Sequence, residues 1–428
     1  MTAAMTLAEM FVRVAGRPDG VRFEAYDGSS TGPSDAAATL VLRRREALEH
    51  LVRAPSDLGL ARAYVSGALD VEGDLHHLIV ALLPSGVGGV RWRELAALAP
   101  AVRELLPLVI SRPAIPEIEA PGRWRRGLRR HSRGRDADAI AHHYDVSNAF
   151  YEMVLGPSMA YTCAVYPSAD STLEAAQYAK FDLVARKLGL EPGMRLLDVG
   201  CGWGGMVMHA AERYDVQAIG VTLSRQQAEW ASKAIAERGL SDRAEVRFMD
   251  YRDLQESSFD AISSIGLTEH IGEKNLQPYF RGLYDRLRPK GRLLNHCITR
   301  PEPGRAARAK AFIDRYVFPD GELESPGFIL EKMNAAGFEI RHAENLREHY
   351  AMTLRDWGSN LESSWDAAVA DVGLERARVW RLYMAASRAG FDVNQIQLHQ
   401  VLGVRTSRSK ASGGRAVSDF PLRPTWLS

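Results

Sequence analysis

A doubly wound, mostly parallel α/β sheet of Rossmann-like type, joined to a smaller N-terminal domain, is the fold this sequence predicts. Two observations carry that expectation. From about residue 195, strand-like stretches alternate with helix-length ones, and the first of those strands runs directly into a glycine-rich turn. Strands separated by helices at this spacing form a parallel sheet covered on both faces. The strand-like stretches are 195–200, 218–224, 244–250, 259–266 and 292–298, and the helix-length ones include 225–238 and 274–288.

The 428 residues exceed one ordinary core, so two domains are expected. Residues 1–110 mix short apolar runs with Gly-rich turns and end in the helical-looking 92–110. The stretch 111–122 holds three prolines, which oppose regular structure, and reads as a linker. The domains are therefore taken as 1–110, a linker over 111–135, and a catalytic domain over 136–428. Within the linker, 123–135 carries seven arginines and no acid, with Trp124 and Leu128 interleaved. Such a run either anchors anionic phospholipid headgroups, at about 1 kcal/mol per basic residue, or is a solvated linker. Nucleic acid is not expected, since no recognition fold accompanies the run and the net charge is only +1. Residues 407–414 read as mobile.

The apolar runs 78–83 and 105–110 fall far short of the roughly 20 residues a spanning helix needs. The first 13 residues lack the features of an export signal. A cytoplasmic location is expected. The three cysteines, Cys163, Cys201 and Cys297, are odd in number and widely spaced, which fits neither a disulfide framework nor a C-x-x-C metal site. No metal is called.

The turn after the first strand reads Asp198-Val-Gly-Cys-Gly-Trp-Gly-Gly205. Glycines here let the backbone turn tightly and bring a ligand to the start of the next helix. Gly200, Gly202 and Gly205 satisfy the dinucleotide pattern G-x-G-x-x-G, while Asp198, Gly200, Gly202 and Gly204 satisfy the D-x-G-x-G-x-G of S-adenosylmethionine (SAM) methyltransferases. A dinucleotide site would need an acid at the end of the second strand to hold ribose hydroxyls. That position reads Thr222-Leu-Ser-Arg-Gln-Gln227, without a carboxylate. Asp198 at the loop's start suits the cationic end of SAM, and Gln227 suits the ribose. The fold is thus the class I SAM methyltransferase type.

With the loop placed, the flanking residues resemble the cyclopropane fatty acid synthase family, which includes the mycolic acid methyltransferases. The similarity covers most of the chain from His142 onward. It rests on His142-His-Tyr-Asp-Val-Ser-Asn-Ala-Phe-Tyr151, on Met159-Ala-Tyr-Thr-Cys163 beside M-x-Y-S-C, on Asp250-Tyr-Arg-Asp253, and on Gly266-Leu-Thr-Glu-His-Ile-Gly272 beside G-M-F-E-H-V-G. Weaker similarity reaches back to 58–67.

The resemblance implies a bicarbonate base gripped by Cys163, Glu269, His296, Tyr350 and the backbone amide of Ile298. It also implies SAM contacts from Tyr161 and Thr162 at the methionine end, Gly200 and Ile265 through their backbones, Thr222, Leu223 and Gln227 around the ribose, and Asp250 and Tyr251 at the adenine. Tyr144 and Tyr161 offer aromatic faces to a carbocation. Taken singly, Cys163 reads as core, Glu269 as a helix-start acid and His296 as a satisfied core histidine; their joint occurrence at matching motif positions favours the site.

The activity implied is one-carbon transfer to the cis double bond of an unsaturated acyl chain in a membrane phospholipid, closing a cyclopropane ring. The first domain would dock on the bilayer's inner face, peripherally, or on a second subunit in a homodimer. Leu267 and Thr268 replace the family's Met (or small residue) and Phe beside Glu269, giving a smaller, more polar wall. A methylene or methyl branch is the alternative product. Methyl transfer to nitrogen or oxygen of a small metabolite, and a non-catalytic lipid binder, are the other readings.

Overall fold

In the computed structural model, the residues described are 5–85, 113–119, 146–303, 307–308, 310–319, 321–408, 416–418, 420–424 and 426. Tyr144, the arginine run 123–135, the stretch 92–110 and most of 407–414 lie outside them. The chain forms two compact units. One comprises residues 1–126, 309–319 and 361–389, and the other 127–308, 320–360 and 390–428. Two stretches that the sequence reading placed in the catalytic domain, 309–319 and 361–389, thus group with the N-terminal segment.

The first unit is built on a four-stranded sheet of order β2-β1-β3-β4, from Val21–Ala25 (β1), Ser30–Thr31 (β2), Ala38–Leu42 (β3) and Leu69–Gly73 (β4). β3 alternates buried and half-buried residues, as a sheet with one face on the core requires. Phe23, Leu40, Leu42, Val71, Leu75 and Leu78 fill that core. The stretch 113–119 is neither helix nor strand, yet it is not a free spacer. Its Glu119 is buried and accepts two 2.7 Å hydrogen bonds from Arg62 and one of 2.9 Å from Tyr316.

The second unit holds a seven-stranded sheet of order β12-β13-β9-β8-β5-β6-β7. The strands are Arg195–Val199 (β5), Gln217–Thr222 (β6), Ala244–Phe248 (β7), Phe259–Ile265 (β8), Leu287–Thr299 (β9), Phe338–Asn345 (β12) and Gln397–Arg405 (β13). A small antiparallel pair, Ala307–Arg308 (β10) and Glu322–Leu323 (β11), stands apart. β5 to β9 are mutually parallel, as the sequence implies, and each lies within a few residues of its expected position. β13 runs antiparallel between β9 and β12. The chain leaves β5 for β6 and β7 on one side and returns to β8 on the other. Ligands bind at such a reversal, beyond the strands' carboxyl ends.

Local chemistry sets the helix ends. The helix Leu173–Leu188 starts on Thr172, whose hydroxyl accepts from the Ala175 amide, and stops at Gly189 in the left-handed conformation. Ser224 caps Arg225–Glu237 in the same way. Among the described residues, no helix is long and apolar enough to cross a membrane.

Burial raises the pKa of Glu119, but the hydrogen bonds and charge of Arg62 outweigh it and hold the carboxyl below its ordinary range. The ion pair's stabilisation is therefore full above the unfolded carboxylate range and is lost as pH falls through the lower folded value. Replacing Glu119 by Gln leaves Arg62 buried without its counter-charge and should cost about 2–4 kcal/mol, read by urea denaturation at neutral pH.

Candidate active site

The glycine turn is wound as its composition requires. Gly200, Gly202 and Gly204 all have φ between +55° and +79°, a region costly for residues with a Cβ. Gly204 then caps the helix Gly205–Tyr214. The Gly200 amide donates 2.9 Å to the Val221 carbonyl, so this N–H is not the group that meets a cofactor. Leu267 packs against the turn: a Cβ on Gly200 would sit 3.2 Å from its side chain.

Asp198, at the end of β5, is buried and accepts 2.6 Å from the Ser263 hydroxyl. Burial raises its pKa to about 6, against the opposing effects of Ser263 and Lys180. At the end of β6, the Thr222 hydroxyl donates 2.7 Å to Gln227 Oε1 and accepts from the Ser224 amide, with Leu223 between them. This arrangement fixes the Gln227 amide and leaves its Nε2 buried without a partner, a donor available to a ribose hydroxyl. Asp250 is engaged within its own turn, paired with Arg252 through two oxygens. Tyr251 lies edge-on to Tyr279. Ile265 ends β8 and is buried.

Aromatic contacts join this cofactor end to the other predicted residues. Tyr350 meets Trp357 edge-on, Trp357 meets Tyr161, Tyr161 meets Tyr151, and Tyr151 meets Trp203 of the glycine turn. Of these rings only Tyr161 is half-buried rather than buried, and such a series offers π faces to positive charge.

Beyond β8 and β9 the candidate catalytic groups converge. Glu269 sits on the turn Thr268–His270, and its Oε1 accepts 2.6 Å from the Ile298 amide. That amide, expected to grip an anion, is thus taken by Glu269 itself. Glu269 Oε2 is buried without a partner, and burial raises the pKa to about 7 despite the Ile298 hydrogen bond. His296 lies two residues before Ile298, on the same face of β9. Its Nδ1 is 3.1 Å from Gln400 Nε2, and its Nε2 is buried and unpartnered. Burial, and then the charges of Lys180 and Lys187, push its pKa well below the ordinary value, so the ring is neutral.

Cys163 is also fully buried, with its thiol directed to the carbonyls of Ala164 and Leu346. Burial pushes its pKa up, so it stays a neutral thiol. Two backbone links connect it to the rest. The Tyr350 amide donates to the Leu346 carbonyl, and the Leu346 amide donates to Leu398, which lies opposite Ile298. The Thr268 hydroxyl, expected to make the wall more polar, donates 2.6 Å to Asn295 instead.

Three buried polar residues at this site escape the motif reading. Gln177 and Lys180, one helical turn apart, hold the 160–162 loop: the Gln177 amide donates to the carbonyls of Ala160 and Thr162, and Lys180 Nζ donates 2.9 Å to the Thr162 hydroxyl. Lys187 reaches Gln400 Oε1 at 2.7 Å. A signal existed in principle, since polar residues at 177, 180 and 187 share a face with apolar Val184 and Leu188.

Comparison with known proteins agrees with this geometry. A profile for mycolic acid cyclopropane synthetase matches residues 131–401. The chain belongs to that family. Over 425 residues, 98% of this chain and 97% of the relative, it is 52% identical to a probable fatty acid methyltransferase of Mycobacterium tuberculosis. It is 37% identical to the Escherichia coli cyclopropane-fatty-acyl-phospholipid synthase, over 61% of this chain and 66% of that one. A mycolic acid cyclopropane synthase solved with SAH superimposes at a TM-score of 0.59 and 32% identity, covering 63% of this chain and 98% of that one. As a member of the synthetase family the protein is a SAM-dependent methyltransferase.

Asp198 and Gln227 then provide a binding test. A charge-assisted hydrogen bond is worth about 1.5–3 kcal/mol. Asp198→Asn is expected to weaken SAM about tenfold or more in calorimetry, and Gln227→Ala by less, with unfolding midpoints close to wild type.

Proposed function

We propose that the enzyme transfers a one-carbon unit from SAM to the cis double bond of an unsaturated acyl chain in a membrane phospholipid, and closes a cyclopropane ring. The observation that carries this reading is the pair of buried, unpartnered atoms Glu269 Oε2 and His296 Nε2. One is an acceptor, the other sits on a neutral ring, and both are buried away from solvent. Methyl transfer to an exposed nitrogen or oxygen has no need of such a site, whereas attack by an alkene does. The alkene's π electrons form a carbon–carbon bond to the methyl as the carbon–sulfur bond breaks, leaving positive charge on the chain. A proton then leaves the new methyl group, and its bonding pair closes the ring. Water would capture the cation first, so its exclusion is part of the chemistry.

Bound SAM supplies the electrophilic methyl. Asp198 would hold its cationic end and Gln227 its ribose. The residues also fit a bicarbonate ion: His296 Nε2 would offer a hydrogen bond to the anion, and Glu269 Oε2 would accept one from its hydroxyl. Bicarbonate would then supply the proton acceptor, with Glu269 orienting it.

Similarity to a probable fatty acid methyltransferase supports a lipid substrate, and similarity to the E. coli cyclopropane-fatty-acyl-phospholipid synthase supports a phospholipid. The arginine run 123–135 suits anionic headgroups on the inner face of the membrane. The first unit is proposed as the docking module or as the contact of a homodimer. A methyl or methylene branch is the second reading, favoured by the name of the 52% identical relative. It differs in the fate of the cation: proton loss from a neighbouring chain carbon leaves a methyl-branched alkene, while a 1,2-hydride shift that moves the charge onto the methyl-bearing carbon, followed by proton loss from the methyl, leaves a methylene group.

Incubation with methyl-labelled SAM and vesicles of unsaturated phospholipid should place label in the acyl fraction; label confined to water-soluble products would refute the substrate. Mass spectrometry of the derivatised chain separates ring from branch. With the pKa of Glu269 raised to about 7, kcat/KM should fall as pH drops through that value, because the free enzyme protonates its acceptor. Glu269→Gln should abolish turnover, by about 10²-fold or more, and retain SAM binding.

A further inference from the structure

A buried chain of polar contacts ends on His296, and its direction can be read from its chemistry. It begins at Glu344 on β12, whose side chain is partly open to solvent, and passes by an ion pair to Lys187. Lys187 has a fully buried side chain and donates 2.7 Å to Gln400 Oε1. Gln400, also fully buried, lies directly opposite His296 in the β9–β13 ladder. Its Nε2 is 3.1 Å from His296 Nδ1.

Each group allows one orientation. Burial lowers the pKa of Lys187, against the hydrogen bond and charge of Glu344; as the ammonium of that ion pair it has hydrogens and no acceptor, so Gln400 must turn its oxygen to it. That leaves the Gln400 NH₂, a donor only, facing His296. Nδ1 must accept, and a neutral ring then carries its single proton on Nε2. Burial and the facing cations Lys180 and Lys187 keep the ring neutral. Nε2 has no hydrogen-bond partner among the described residues, so no contact there competes for the assignment.

We propose that Lys187 and Gln400 are positioning residues that lock His296 in its Nε2–H tautomer, making it a fixed hydrogen-bond donor into the active site. His296 is thereby excluded as the proton acceptor, because its one lone pair is held by Gln400. The catalytic consequence rests on the proposed function, but the tautomer does not.

The test uses the full-length protein with ¹⁵N-labelled histidine, without acyl substrate. The ring signals of His296 are assigned by their loss in His296→Asn. Wild type should show a pyrrole-like Nε2 and a pyridine-like Nδ1. Gln400→Glu is isosteric and keeps an oxygen acceptor on Lys187, but presents an acceptor to Nδ1. It should move the proton to Nδ1 or charge the ring, and kcat should fall by about 10²-fold with KM for SAM within about twofold of wild type. Lys187→Met frees the amide to turn either way and should populate both tautomers. A wild-type ring protonated on Nδ1, or an unchanged Nε2–H ring in both variants, would overturn the proposal. If the ring responds as stated but label never enters an acyl chain, the tautomer lock stands and the substrate reading fails. A proton shift in Gln400→Glu with undiminished turnover overturns its catalytic role.

Discussion

Removal of water from the ends of β5, β8 and β9 is the constraint on which the site depends. Asp198, Lys180, Glu269 and His296 are all buried there, and desolvating a charge is expensive unless something offsets it. The structure offsets it differently for each. Asp198 has Ser263 and the field of Lys180; Glu269 has the Ile298 amide; His296 is kept neutral. Lys180, with its pKa lowered to about 7 by burial against the influence of Cys163 and Asp198, hydrogen bonds to Thr162 and thereby fixes the loop that carries Tyr161 and Cys163.

The parallel half of the sheet was legible because its strands are short apolar runs between helices with clear caps, and because the glycine turn after β5 has only a few uses. The contacts that make the site were less legible. Lys187 and Gln400 are 213 residues apart in sequence, and no local pattern announces such a pair. β12 and β13 escaped because β13 is inserted antiparallel, after a long helical stretch, where alternation of strand and helix gives no cue. The first unit's sheet is built from strands of two to five residues, below the length at which periodicity is persuasive.

Some predicted positions acquired a different meaning from their neighbours. Backbone amides cannot be assigned partners from sequence, so Ile298 was read as an anion donor when its hydrogen bond goes to Glu269. Asp250 is likewise engaged by Arg252 two residues on. Thr268 shows the same principle from the other side. Its hydroxyl is polar in the sequence, but the bond to Asn295 consumes it, so the departure from Phe changes volume beside Glu269 more than polarity. Leu267, packed over Gly200, occupies space above the cofactor turn. On the proposed reading, a change in the site's shape acts on where an acyl chain lies relative to the transferred methyl.

Burial acts in opposite senses on the two groups with an unpartnered atom, Glu269 and His296. For Glu269 it favours the protonated acid, raising the pKa and making the ionised form a better acceptor near neutral pH. For His296 it favours the uncharged ring, lowering the pKa and making it a poorer one. A single dry environment thus divides the labour between a carboxylate that takes a hydrogen and an imidazole that gives one. Gln400 completes the division by occupying the imidazole's only lone pair. On the proposed reading, the proton acceptor stands on the Glu269 side, where bicarbonate would be held, and the carbon that loses its proton is the one the acyl chain brings there.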